Sequence, residues 1–551
     1  MPTDRVAPGL RRLRLLAVAS RPSDYVELLD LVRELARRGH RMTVFYLYAE
    51  SERAQNVAAL EGIESLRASA SGIEARAIEI LTMTGETSRR RRPTGGAKAP
   101  REESWRAKVV VFLNALIVRI GLSLYHNRVS RRMPVVMRRF LANSMFLLAK
   151  VFELLLYPRR IPRAVVRLVI PRRLRQPIAA GIEMRRFYRS VLHFFRYSIE
   201  QYQIDALLIP EDVVGYVWPV CIKAGHDCGI PTLVFPYTLA NRQEPIQSLR
   251  DEHAFQSGNN RLAVRLFPRW RYRDDKVDLV RLPADHVYAH ELLHITPPDP
   301  WMMNSGYANR ICVESRASFE YFSDGGIPAT KMELTGSVSQ DKMFLLKLNK
   351  QTSLDALRRE LGLQGAKHLL LLSGCPNQLA GKVPYCEFSD FPAIAAFIGE
   401  SLAPLSNDYH LIVRPHPNFP DFGPMLADYG FISCSVPTSQ LVPISDLFIA
   451  FASATIRWSI ACAIPTVNYD IFHYGYGDFA SAAGVLSVQK KNDFRAIARE
   501  LVPGRALYAE MADKIRSDSE RWSMMDGHCL DRIEAAIERE CARRPAPRTS
   551  E

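Results

Sequence analysis

The chain has 551 residues, a net charge of +15 and a hydrophobic content of 47%, which is too long for one core and apolar enough for two or three. Nine scattered cysteines form no CxxC pair, so neither a zinc ribbon nor a disulfide framework is suggested and reduced thiols are expected. Between Arg89 and Ile199 there are 26 basic residues against four acidic ones, a local +22 that leaves −7 for the remainder; this argues against a uniformly basic nucleic-acid binder and for a mildly acidic enzyme with one basic insert.

The first half of an N-terminal domain, 1–88, opens with a predicted strand at Leu13 to Ala19, an amphipathic helix from Tyr25 to Arg38 stopped by Gly39-His40, and a strand from Met42 to Tyr46. That is a βαβ unit. Arg11, Arg12 and Arg14 precede only five apolar residues, Leu15 to Ala19, fewer than the roughly 7 to 15 of a signal-peptide core, so a cytoplasmic location is expected.

The basic insert, 89–199, begins with Arg89 to Arg92 and a linker-like Pro93-Thr94-Gly95-Gly96-Ala97. Val109 to Val118 is uncharged, and Phe140, Leu147, Val151, Leu154 and Leu155 recur at helical spacing. Charged residues interrupt both stretches before the ~20 apolar residues that a membrane span needs. They read as helices lying on a membrane surface. Arg185-Arg186-Phe187-Tyr188-Arg189 and His193-Phe194-Phe195-Arg196-Tyr197 suit anionic headgroups, at roughly 1 kcal/mol per basic residue. The same pattern also fits a packing helix, or, less well, an RNA-stacking face; nucleic acid is not expected as a partner.

Alternation resumes in the second half of the domain, 200–340, with Ala206 to Ile209, a helix near Trp218 to Cys228, Thr232 to Phe235, Arg310 to Val313 and Lys331 to Ser337. A link over Gln340 to Gln351 leads to a second domain, 341–505, with strands at His368–Leu372, His410–Val413, Leu447–Phe451, Thr466–Tyr469 and Val485–Val488. The remainder, 506–551, reads as helix to Arg543 and then a disordered tail. The predicted fold class is α/β, with two Rossmann-like doubly wound domains and a basic helical insert in the first.

In such sheets ligands bind beyond the carboxyl ends of the strands, and three turns there carry the chemistry. Ser453 and Thr455 stand where a strand becomes a helix, so their hydroxyls and the free N–H groups suit a diphosphate. His416 lies between Pro415 and Pro417, whose fixed φ restricts its backbone; a histidine, with an ordinary pKa near 6.5, bonds a phosphate oxygen and offsets charge as a bond to it breaks. Arg414 suits a phosphate or carboxylate bidentately. Ser373-Gly374 closes the second domain's first strand, and Glu211 and Asp212 follow Ile209-Pro210 on the first domain's side. A structural loop histidine, an N-cap serine and helix-terminal acids are the plainer alternatives for these positions.

The pattern resembles the GT-B class of glycosyltransferases, including bacterial enzymes that build surface polysaccharides. The matching pieces are Arg37-Arg38-Gly39-His40, Gly325-Gly326-Ile327-Pro328 with Thr335-Gly336-Ser337, Arg414 to Pro417, and Ser445-Asp446-Leu447 leading through Ser453 and Thr455 to Ile464-Pro465. The resemblance implies a nucleotide-sugar donor as substrate, no cofactor, a glycan or lipid-linked acceptor, His416 at the donor, Glu211 or Asp212 as base, and peripheral attachment to the inner face of the membrane. Sugar-nucleotide 2-epimerases and glycerophosphate polymerases share the fold, and a non-catalytic scaffold is a third reading. At Ser459 related transferases often carry a carboxylate for the ribose; its absence here puts a UDP donor in question and brings in Asp470 as a substitute. No DxD motif occurs, so a metal-bridged diphosphate is not expected. A rival motif, His290-Glu291-Leu292-Leu293-His294, matches HExxH and raises zinc hydrolysis, although Pro297-Pro298 would end its helix at once.

Overall fold

A computed structural model describes residues 12–19, 24–46, 64–66, 172–377, 386–416 and 419–543. The first sheet has seven parallel strands, β1 (Arg14–Ala19), β2 (Arg41–Tyr46), β3 (Glu64–Leu66), β4 (Ala206–Ile209), β5 (Thr232–Val234), β8 (Arg310–Val313) and β9 (Met332–Leu334). Their spatial order is β3-β2-β1-β4-β5-β8-β9. The apolar runs of β1 and β4 are almost wholly buried, as strands covered on both faces must be, and Leu16 pairs with Leu207 in register. The order reverses between β1 and β4, which makes that junction the switch point of the domain.

The second sheet is also all parallel: β10 (His368–Ser373), β11 (Tyr409–Arg414), β12 (Ile432–Ser433), β13 (Leu447–Ala450), β14 (Thr466–Tyr469) and β15 (Val485–Val488), ordered β12-β11-β10-β13-β14-β15. Its switch point lies between β10 and β13. The expected link is helical, with Val338–Leu348 and Lys350–Leu361 meeting at Asn349. Gln340 is buried there.

Two elements escape a simple alternation. Between β5 and β8 the chain forms short helices and an antiparallel hairpin of β6 (Arg271–Arg273) and β7 (Asp278–Val280), packed on a small core of Val214, Trp270, Val280, Leu282 and Val287. The terminal helix Cys529–Ala542 returns to the first domain, where Leu530, Ile533 and Ile537 join the core of Leu28, Leu31 and Val32. Glu534 there accepts from Arg38 and meets His40, each at 2.6 Å, and the Asp341 carboxylate accepts from the N–H groups of Cys529 and Leu530 at the helix start. The Arg38-Gly39-His40 stop is therefore a dock for the end of the chain.

Residues 83–182 form a separate compact unit, of which only the start of the helix Arg172–Gln201 is described. The proposed surface helices around Val109–Val118 and Phe140–Leu155 lie outside the described residues. Within the described part, Tyr188 and Phe195 of the basic-aromatic stretch pack inward, and its arginines stay exposed. Tyr188 and Phe195 are 1% and 0% exposed and belong, with Met184, Val191 and Ile199, to the first domain's core. Their spacing of three and four residues puts them on one face of the helix, and Arg185, Arg186, Arg189 and Arg196 lie on the exposed one. No helix among the described residues is long and apolar enough to cross a membrane.

Candidate functional site

The second domain brings three of the predicted turns to adjacent strand ends. Ser373 closes β10, Arg414 to His416 closes β11, and Phe451 to Thr455 closes β13 and leads into a short helix, Ile456–Ala461. Gly374 is what lets the first two meet. Its N–H donates to the Arg414 carbonyl at 2.8 Å, and a Cβ there would fall 2.6 Å from the His416 nitrogen and 2.7 Å from the Pro415 Cα. No side chain fits against backbone at that range, so Gly374 seats the His416 turn on β10.

His416 is half-buried, and its carbonyl accepts from Phe419 N–H at 2.8 Å. Arg414 donates from Nη1 to the Pro415 carbonyl at 2.7 Å, while its Nε is buried without a partner and burial lowers its pKa. Its guanidinium thus stiffens the turn and keeps one donor in reserve. In the β13 turn, Ala452 takes a left-handed conformation (φ 46°), held by its N–H donating to Asn468 Oδ1 at 3.0 Å. The Ser453 and Thr455 hydroxyls then lie 2.8 Å apart, and Ser453 Oγ accepts from the Thr455 N–H. Two half-buried hydroxyls at one strand end suit a phosphate oxygen.

Two further positions serve packing. Ser459 is fully buried, donating to the Ile456 carbonyl and accepting from Thr466, so it faces β14 rather than the cleft. Asp470 accepts from the N–H groups of Tyr474 and Gly475 and from Gln489, which occupies its carboxylate in shaping its own loop.

In the first domain, Glu211 and Asp212 follow β4 at the switch point and point to different neighbours. Glu211 accepts from the Thr238 hydroxyl, and Thr238 lines a crevice with Glu314, Ser318 and Arg457. Asp212 faces inward: its backbone exchanges hydrogen bonds with Asn304, and its carboxylate packs so closely on Gly306 that a Cβ there would overlap it. Burial pushes the Asp212 carboxyl up to about 7, against the opposing pull of Lys331 and the Gly306 backbone.

That shift has a testable sign. The folded protein keeps Asp212 neutral while an unfolded chain ionises it near pH 4, so its contribution to stability falls as pH rises from about 4 to 7 and is constant above, by up to ~1.4 kcal/mol per unit. Asp478, pushed up to about 6 by burial, adds a dependence of the same sign. In Asp212→Asn the fall in melting temperature between pH 5 and pH 8 should shrink, with the Asp478 part remaining. An unchanged profile would show that Asp212 ionises as freely in the fold as outside it.

Across the crevice stands a pair that sequence reading missed. Arg457, on the short helix after the Ser453 turn, meets Glu314, just past β8, at 2.5 Å with side chains 4% and 6% exposed. Arg457 also donates to the Ala454 carbonyl at 2.9 Å, so one guanidinium ties the Ser453–Thr455 turn to the first domain. The HExxH motif, by contrast, does not form a metal site. Its helix ends at Leu292 and His294 adopts φ 54°, so the two histidines do not share a helical face. His290 is buried between the rings of Tyr188 and Trp270, and Glu291 is held by Arg269 and Trp270.

No family model matches the chain, and no curated protein matches it. Among solved structures, it is similar to the UDP-GlcNAc 2-epimerase of Neisseria meningitidis bound to UDP-GlcNAc, at 11% identity over 96% of this chain and 100% of that one, with a TM-score of 0.46. A calicheamicin glycosyltransferase matches at 13% identity over 97% and 99% of the two chains, TM-score 0.46. The wall teichoic acid polymerase TagF matches at 15% over 62% and 75%, TM-score 0.40. The architecture is α/β, with two Rossmann-like domains. Two doubly wound parallel sheets with their switch points at β1/β4 and β10/β13, and a final helix that crosses back to the first domain, are what the strand order itself displays. Arg457 and Glu314 left no motif in the sequence; the one available signal was that Glu314 follows directly on a predicted strand end of one domain and that Arg457 lies in the short helix after a strand end of the other.

Proposed function

We propose that the protein is a glycosyltransferase of surface-polysaccharide or glycan synthesis that moves a sugar from a nucleotide-activated donor to a glycan or lipid-linked acceptor. The observation that carries this reading is the convergence of Ser373-Gly374, Arg414 to His416 and Ser453 to Thr455 on neighbouring strand ends of the second sheet, with Thr238, which donates to the buried Glu211, on the crevice that Arg457 also lines. The Ser453 and Thr455 hydroxyls would hold the diphosphate, His416 would stabilise the leaving nucleotide, and Glu211, buried behind the Thr238 hydroxyl that donates to it, would take the acceptor proton. With Ser459 turned into the core, ribose recognition falls to other groups, so the reading names no base.

The test is a panel of CMP-, CDP-, UDP- and GDP-sugars followed by thermal denaturation. A ligand at 100 times its Kd stabilises by about 2.7 kcal/mol, so at least one nucleotide should raise the melting temperature. Release of free nucleotide that depends on added acceptor would then separate transfer from epimerisation. Absence of a shift with every member would overturn the reading in favour of a scaffold.

A further inference from the structure

The segment between β5 and β8, for which the sequence offered no role, holds leucines out from the molecule among arginines. The short helix Arg261–Leu266 packs Ala263 and Val264, with Phe267 just past its end, on the small core around Trp270. At about 100° per residue those three share one side, and Arg261, Leu262, Arg265 and Leu266 share an arc of about 140° on the other. Leu262 is 44% exposed and Leu266 56%. Leu292, also 56% exposed, follows directly on the Glu291 that pairs with Arg269, so a third outward leucine adjoins the same segment. Single exposed leucines are ordinary; a group of them interleaved with cations is a pattern.

From Arg261 to Arg273 the chain has five arginines and no acidic residue. Arg269 is paired with Glu291 at 2.7 Å and Arg271 with Asp278 at 2.6 Å. Arg261, Arg265 and Arg273 are exposed and meet no carboxylate among the described residues. Asp274, the next residue, is turned onto its own loop, accepting from the N–H groups of Lys276 and Val277, and Asp275 is followed by Lys276.

The fold on either side holds this face in place. Asn260, just before the helix, donates to the Ala254 and Gln256 carbonyls, each at 2.9 Å, and accepts from the Ala284 N–H at 2.8 Å. Trp270 is fully buried, and its indole N–H donates to Glu291 at 2.7 Å.

Apolar side chains and unpaired guanidinium groups in one arc suit a partner with an apolar phase bounded by anions. A nucleic acid would take the charge but needs exposed rings on which its bases stack, and Phe267, Trp270 and Tyr272 are packed against the cores beneath. An anionic lipid surface takes both: leucines enter the acyl boundary while guanidinium groups stay with the phosphates.

We propose that the outer face of the helix Arg261–Leu266, with the arginines that follow it, docks the protein on an anionic membrane surface. The contact belongs to the first domain, draws on no residue of 89–199 and does not rest on the transferase reading. Combined with that reading, it brings the enzyme to a lipid-linked acceptor and raises the local concentration of each for the other.

The test is flotation of the full-length protein with vesicles of phosphatidylcholine alone and of phosphatidylcholine with about one third phosphatidylglycerol, at low and at high salt. Wild type should float with the anionic vesicles, less with the neutral ones, and less at high salt. Leu262→Ser/Leu266→Ser should weaken binding to anionic vesicles by about tenfold or more, because the apolar transfer is lost. Arg261→Gln/Arg265→Gln should weaken it in the same direction and flatten the salt dependence. Both variants should melt close to wild type, since these four side chains are exposed. No flotation of wild type, or equal flotation of wild type and the leucine variant, overturns the proposal. Binding that follows the arginines and ignores the leucines overturns the lipid assignment in favour of an acidic macromolecule. Nucleotide-sugar stabilisation should be the same in L262S/L266S as in wild type, so the membrane contact and the transferase reading fail separately.

Discussion

Arg457→Met should destabilise the protein by about 3–5 kcal/mol, the cost of leaving a buried carboxylate without its cation. Glu314 and Arg457 are 6% and 4% exposed and meet at 2.5 Å, so solvent screening does little to soften the loss. Methionine roughly preserves the packing volume, which separates the charge effect from a cavity. For domains of 150–250 residues each kcal/mol shifts the midpoint by about 2–4 °C, and a molecule of this size should still show a fall of several degrees in a thermal scan at pH 7. The double variant Arg457→Met/Glu314→Gln should recover most of it, because removing both charges removes the unpaired one. A single variant melting within a degree of wild type would mean that Glu314 is neutralised by another group.

The pair also bears on how the cleft is built. Arg457 holds the Ala454 carbonyl between Ser453 and Thr455, so its loss should loosen the turn assigned to the donor phosphates as well as the contact with the first domain. Tyr321, which donates to Asp478, and Asn241, which donates to the Tyr476 carbonyl, make further contacts between the same two domains and should limit the opening. The expected phenotype is weaker nucleotide binding in a protein that still folds.

Much of the frame was legible because a parallel strand covered on both faces is a continuous apolar run. Leu13 to Ala19, Ala206 to Ile209 and Leu447 to Phe451 have no other reading, and each ends in a recognisable turn. The helix around Tyr188 and Phe195 was legible too: Met184, Tyr188, Val191, Phe195 and Ile199 keep a strict helical face, which is the packing alternative that the basic-aromatic pattern left open. The hairpin of β6 and β7 was hidden because strands of three residues with exposed arginines look like loop. The Arg457–Glu314 pair was invisible for a different reason. A charged residue's burial is set by chain segments far from it in sequence, and no local pattern reports it. Asp470 and Ser459 show the converse: both fall where a functional residue was expected, and both are spent on hydrogen bonds within the second domain.

His416→Ala should lower kcat by about 10²–10⁴, the range for loss of one proton-transfer or charge-stabilising group, while the melting-temperature shift given by the nucleotide sugar stays close to wild type. The split follows from how the turn is built. The path of the chain at His416 is fixed by backbone: Gly374 N–H on the Arg414 carbonyl, the close seat of Gly374 on the His416 nitrogen, and Phe419 N–H on the His416 carbonyl. None of these uses the imidazole, so removing the ring should leave the strand end and the Ser453–Thr455 hydroxyls in place to bind the donor. An imidazole that acts only as the bond to the nucleotide breaks appears in kcat and not in ground-state binding. A histidine that merely packs the loop predicts another outcome, in which kcat, KM and nucleotide stabilisation degrade together with the melting temperature. Gly374→Ala supplies the comparison, since it displaces the His416 backbone while keeping the ring. If His416→Ala reproduces the broad damage expected of Gly374→Ala, the ring is structural; if it loses turnover alone, the strand end of β11 carries the chemistry.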